Sequence, residues 1–217
     1  MHAYQRPAVE DGVFRDATGA VITYGDRWGA PGPPEDAYSV TTHPERFRPL
    51  HTVADALVTH LVTSYDVEVS SGATVPGDTP GGPEIARATE LRPRDARAAP
   101  MTIAHTAFPG VVVHAGVLLD ATYPACGCDA CDDTWQEQAD DLEWLVGAVV
   151  AGRFREWVTR RNGRTWVGHS LGADGGRTSS GESVADTLPA DRLRAATAVL
   201  GNSHPGWAAW PTRRGSP

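Results

Sequence analysis

The sequence predicts an α+β fold: one domain in which an antiparallel β-sheet built from hairpins carries about three α-helices. Three observations predict it. Apolar residues recur at helical spacing in three separated segments, two turn signals each sit between β-rich runs, and these units follow one another as helix, strand, hairpin, helix, hairpin, helix.

In chain order, residues 1–43 read as an irregular, aromatic and Pro-rich N-terminal arm packed on the domain, which spans 44–204 and is followed by a C-terminal tail, 205–217. Tyr24-Gly25-Asp26-Arg27-Trp28-Gly29, followed by Pro31, Pro33 and Pro34, suits no regular element, and its aromatics supply anchoring surface. A helix is expected to open at His43-Pro44-Glu45, with Thr42 and Glu45 at capping-box spacing. Leu50, Val53, Leu57 and Leu61 continue it to about Tyr65, and Pro49 bends or restarts its first turn. Val67-Glu68-Val69 reads as a strand, and the Gly- and Pro-rich stretch 71–83 as a loop.

Pro109-Gly110 marks a turn between Met101–Phe108 and Val111–His114. A loop of those two residues alone would set His105 opposite His114. Asn162-Gly163 is a stronger signal, for a type I′ turn pairing Val158 with Val167 and Glu156 with His169. Between the hairpins, Trp135, Leu142, Leu145, Val146 and Val149 mark the buried face of a helix over 134–150, stopped by Gly152. Its N-cap is either Asp133 with Gln136 or Thr134 with Glu137. After a polar loop, 172–186, a third helix runs from Pro189 to Leu200 before Gly201, and the tail carries Trp207 and Trp210.

Composition narrows the function classes. The 217 residues are long enough for one well-buried core. All 19 basic residues are Arg, which together with the Ala, Gly and Pro load reflects GC-rich coding rather than function. A formal charge of -8 argues against nucleic acid as a partner, since such binding needs clustered positive charge. The start lacks an apolar leader and no run is long enough to cross a bilayer, so a cytoplasmic protein without a membrane partner is expected.

The three cysteines, Cys126, Cys128 and Cys131, all lie in Pro124-Ala125-Cys126-Gly127-Cys128-Asp129-Ala130-Cys131-Asp132-Asp133, directly before the second helix. In a reducing cytosol such a cluster suits thiols or metal ligands better than a disulfide. Three sulfurs at this spacing can surround one Zn²⁺ or another soft metal ion, with a fourth donor from Asp129, Asp132, Asp133 or a distant histidine. His105 and His114 fit that part poorly if the strand after His114 runs away from the turn; their plainer reading is as sheet-face side chains, and His51 and His60 read as helix-surface residues. A thiol-redox or small-molecule enzyme using Cys128-Asp129-Ala130-Cys131 is a second reading, opposed by carboxylates that raise thiol pKa values. A third is a metal-free module that docks a protein partner through the aromatic arm, with the cysteines filling a turn. Gly168-His169-Ser170-Leu171-Gly172 matches a hydrolase nucleophile pattern, but Ser170 falls inside a strand where an elbow needs a strand-to-helix turn.

Three stretches resemble an uncharacterised actinobacterial family classed as a domain of unknown function: Tyr24–Trp28 with Pro34–Phe47, Phe108–Gly116, and Cys126–Asp132. The resemblance spans nearly the whole chain and implies a single-domain, cytosolic bacterial protein. It implies no activity, substrate or site residue.

Overall fold

The computed structural model describes residues 4–72, 82–172, 176–201 and 206–213. The arm begins by gripping a helix. Tyr4 donates to Glu143 (2.8 Å), Arg6 bonds Glu143 and Asp140, and Asp11 accepts from Trp135 Nε1 at 2.7 Å. The arm then forms a short hairpin, β1 (Phe14–Arg15) with β2 (Val21–Ile22), fastened where His43 Nε2 meets the Arg15 carbonyl at 3.0 Å.

Helix α1 (Pro49–Ser64) starts a turn later than Thr42 and Glu45 suggest. Pro44–Phe47 is a 3₁₀ turn, and the Thr42 side chain caps nothing, because its hydroxyl donates to Asp129 instead. Pro49 suits the first helical position, where its missing N–H costs no bond. Leu50, Val53, Ala54, Leu57 and Leu61 form the buried face. His51 and His60 are half-buried rather than surface residues: His51 meets the Gly110 carbonyl at 3.0 Å, and His60 stacks edge-on with Tyr4 and Tyr65.

The main sheet has five strands in sequence order: β3 (Val67–Ser71), β4 (Ile85–Pro93), β5 (Met101–Thr106), β6 (Val111–Ala115) and β7 (Leu119–Tyr123), each antiparallel to the next. Most of the proposed 71–83 loop lies outside the described residues. Met101, Ile103, Val111, Val113 and Leu119 bury one face against α1 and α2 (Trp135–Val150). A smaller cluster, Ala88, Ala104 and Val112, lies on the other.

A second sheet, in order β10-β9-β8, consists of β8 (Phe154–Arg161), β9 (Arg164–Gly172) and β10 (Thr178–Val184). Asn162 (φ 50°) and Gly163 (φ 75°) form the left-handed turn expected, and Val158 faces Val167 and Glu156 faces His169. The polar segment 172–186 contains strand β10, paired along β9; most of its residues are exposed, which erased the apolar signal a buried strand would give. Helix α3 (Ala190–Leu200) ends before Gly201 as expected. In α2 the capping box is Thr134 with Glu137.

The turn between β6 and β7 is held by a side chain that sequence reasoning passed over. Glu156 is fully buried, and its carboxylate accepts the N–H groups of Val117 (3.0 Å), Leu118 (2.7 Å) and Leu119 (3.0 Å) together with Trp207 Nε1 (2.9 Å). Gly116 (φ 64°) is required there, since a Cβ would lie 2.0 Å from Glu156 Oε2. The tail closes the core: Trp207 and Trp210 are buried, and Trp210 Nε1 donates to the Ala99 carbonyl at 2.9 Å.

Candidate metal centre

The cysteine loop joins β7 to α2, and its backbone is tied to the segment before α1. Asp129 N donates to the Val40 carbonyl (2.7 Å) and Ala130 N to the Ala37 carbonyl (3.1 Å). In return, Thr41 Oγ1 donates to the Gly127 carbonyl (3.0 Å) and Trp28 Nε1 to the Asp129 carbonyl (3.0 Å). Arg46, only 4% exposed, reaches the carbonyls of Gly127 (3.1 Å) and Cys128 (3.3 Å) while its guanidinium lies over the Tyr24 and Phe47 rings. Ala37, Cys128 and Ala130 pack together with Trp28. The loop is therefore shaped from outside, by the arm and the 3₁₀ turn, more than by its own sequence.

That shape brings the sulfurs together. Cys126 Sγ lies 3.3 Å from Cys128 Sγ, which lies 3.5 Å from Cys131 Sγ, and all three ligand atoms fall within 4.8 Å of one another. Three thiolates on a tetrahedral Zn²⁺, with Zn–S of about 2.3 Å, would stand about 3.8 Å apart. Cys128 is buried, whereas Cys126 and Cys131 are exposed. The Cys128 thiol is lowered to about 7, chiefly by the hydrogen bond from Cys126 and then by backbone N–H groups of Cys131 and Ser39, against the effect of burial. Cys131 is pushed up to about 12 by its hydrogen bonds to Cys126 and Cys128. One thiolate forms readily in this cluster and then resists a second, a resistance that a shared cation removes.

None of the proposed fourth donors joins the three sulfurs among the described residues. Both Asp129 oxygens are engaged by Thr42 (N at 3.2 Å, Oγ1 at 2.8 Å), with Arg46 at 3.6 Å and Arg27 at 3.8 Å. Asp132 Oδ2 accepts from Arg27 N at 2.7 Å, while its Oδ1 is buried without a partner. Asp133 is half-buried, and burial with the nearby Glu137 charge raises its pKa.

The expected pairing of His105 with His114 is not formed. The connection comprises Ala107–Gly110, closed by Thr106 N to the Gly110 carbonyl, so His105 pairs with Val111 and His114 with Thr102. This three-residue offset puts the two rings on opposite faces of the sheet. His105, 1% exposed, packs edge-on against His51 and lies 3.2 Å from Asp55, with its Nδ1 unpartnered. His114 Nδ1 meets Asp120 at 2.7 Å, and Arg192 of α3 reaches both. The strand after His114 does not run away either, because Gly116 turns the chain and β7 sets Tyr123 opposite Val111. Ser170 lies inside β9, between Arg155 and Ser180, as the sequence indicated, and no nucleophile elbow exists there.

Arg46 and the role of Glu156 are what sequence reasoning missed, and Asp129, expected as a metal donor, is instead engaged by Thr42, Arg46 and Arg27. For Glu156 a signal existed, since a carboxylate alternating with Phe154 and Val158 on one strand face requires buried donors. The chain matches the family of unknown function DUF6226 over residues 10–214. It belongs to that family. No curated protein and no solved structure matches it. Among the described residues no helix is long and apolar enough to cross a membrane.

Proposed function

We propose that this member of the DUF6226 family is a zinc-binding protein in which Cys126, Cys128 and Cys131 hold one Zn²⁺ in a mainly structural role. The convergence of three sulfurs from positions spaced two and three residues apart carries the reading. The metal clips the β7–α2 loop of the α+β domain (44–204), to which the arm (1–43) is hydrogen-bonded, completing what Arg46 and Asp129 begin. Three thiolates leave one tetrahedral position for a further donor. The reading implies a reducing compartment, the cytoplasm, where these thiols stay unpaired. Sulfurs directed separately into the core would have favoured a metal-free docking module; these converge.

Thiol chemistry is the second reading, supported by the 3.5 Å approach of Cys128 and Cys131 at the start of α2. Elemental analysis separates the two. Untagged protein purified under reducing conditions without added metal is expected to carry near-stoichiometric zinc, absent from the Cys126→Ser/Cys128→Ser/Cys131→Ser variant, whose melting temperature falls. Metal-free native protein with the same stability as the variant sinks the zinc reading.

A further inference from the structure

The second sheet has two unlike faces. Phe154, Glu156 and Val158 of β8, with Val167 and Leu171 of β9, lie on the face that packs into the core. Alternate residues form the outer face, where one cross-strand row is Trp157, Gly168 and Glu182 and the next holds Ser170 opposite Ser180. A Cβ at Gly168 would stand 2.5 Å from Cε2 and Cζ2 and 2.7 Å from Nε1 of Trp157, so the indole lies flat on the strand at the residue of its row that has no side chain. A glycine inside a strand gives up side-chain packing, and here it makes room for the ring. Trp157 Nε1 donates to Glu182 at 2.8 Å, which fixes the ring's orientation, and the other Glu182 oxygen accepts from Arg161. Reaching there, the Arg161 guanidinium lies 4.7 Å from the centre of the Trp166 ring and covers it. Trp157 is half-buried, and among the described residues no ring or guanidinium stacks on it. With its inner side resting on Gly168, its outer side is the one left to solvent.

An open indole face is apolar and carries the negative side of the ring quadrupole. It suits a flat ligand surface made of polarised C–H bonds. The edge of the ring offers hydrogen-bonding groups of both kinds: Glu182 keeps lone pairs that accept, Arg161 keeps N–H groups that donate, and the Ser170 and Ser180 hydroxyls do either. Hydrogen bonds from Trp157 and then Arg161 hold the Glu182 carboxyl below the usual carboxylate range, so it is ionised at neutral pH. Bases of a single strand would also stack, but their phosphates need unspent positive charge. Of the strand arginines on this face, Arg161 and Arg164 are paired with Glu182 and Asp186, which leaves Arg155. A β-linked pyranose with equatorial hydroxyls has the required form. Its axial C–H bonds face the indole, and its hydroxyls, in the plane of the sugar, donate to the carboxylate and accept from the guanidinium.

We propose that the outer face of the second sheet binds a neutral glycan of β-linked pyranoses with equatorial hydroxyls, one sugar ring stacked on Trp157 and its hydroxyls bonded by Glu182 and Arg161. The site shares no residue with the cysteine loop and stands apart from the zinc reading.

Cellotetraose, a neutral β-linked glucan, is the probe, titrated into the isotopically labelled full chain. The indole N–H signal of Trp157, identified by its loss in Trp157→Phe, is expected to shift saturably with cellotetraose and to stay in place with oligothymidylate. By calorimetry, Trp157→Leu should weaken cellotetraose binding about tenfold. Glu182→Ala, at an exposed position, should weaken it about fivefold and decides the matter if Trp157→Leu fails to fold. Zinc content should match the native protein in both variants. Absence of cellotetraose binding, unchanged affinity in folded Trp157→Leu or in Glu182→Ala, or tighter binding of oligothymidylate overturns the proposal.

Discussion

Two connections flank strand β7, and each is organised by a buried carboxylate. In the turn before it, Glu156 takes three backbone N–H groups and an indole N–H, so every donor aimed at it belongs to the chain. In the loop after it, Asp129 takes the Thr42 backbone and hydroxyl and faces two arginines, while three thiols converge beside it, bonded to one another and, at Cys128, to the backbone N–H groups of Cys131 and Ser39. The first connection is complete as folded, whereas in the second three sulfurs lie within 4.8 Å of one another and no carboxylate or histidine joins them among the described residues. A buried polar cluster with all its partners fixes a structure, while one with converging soft donors and no counter-charge prepares a place for a cation.

This contrast breaks most visibly at Glu156. Glu156→Ala orphans four buried donors and is expected to cost about 3–5 kcal/mol in chemical denaturation, with zinc content per folded chain unchanged. Loss of zinc in that variant would show that the two connections are not independent. Asp129→Asn keeps the shape but removes the charge facing Arg27 and Arg46, and a smaller loss of about 1–3 kcal/mol is expected. It should also weaken zinc retention under chelator challenge; retention equal to the native protein would detach the carboxylate from the metal loop.

The smallest effect concerns pH, at a group that belongs to neither connection. Burial, reinforced by Arg87 and opposed by Asp55, holds the His105 pKa below its ordinary 6.5. Between that lowered value and 6.5 the unfolded chain binds a proton the native state refuses, so His105 makes stability fall as pH drops through this window. His105→Asn should flatten the stability profile from pH 7 to 5 relative to the native chain, whatever it does to the level. An unchanged slope would assign the acid sensitivity to other groups. Glu156 works in the opposite direction: burial raises its pKa above 4.5, so the native state gains on the unfolded chain as pH falls through the interval above 4.5.

The two foreseen hairpins show how legibility depends on local chemistry. Asn162-Gly163 determines its register because both residues adopt positive φ at little cost, and the type I′ turn leaves two residues in the loop. Pro109-Gly110 marks a turn without setting its length, and the four-residue connection moved His105 and His114 onto opposite faces. Strands β4, β7 and β10 escaped because none carries a clean apolar alternation; Arg87, Glu90, Asp120 and the serines of β10 interrupt it, and neighbouring strands supply the pairing.

The sequence by itself determined the α+β class, helices α1 to α3 to within a turn, the Asn-Gly register and the proximity of Cys126, Cys128 and Cys131 along the chain. Each rests on interactions within a few residues: helical periodicity, caps, turn dihedrals and covalent spacing. Only the tertiary structure decided that the three sulfurs converge and that Asp129 is spent on Thr42 and two arginines. The contacts that shape the cysteine loop and engage Asp129 come from segments some 80 to 110 residues away, and such long-range packing leaves no local pattern in the chain.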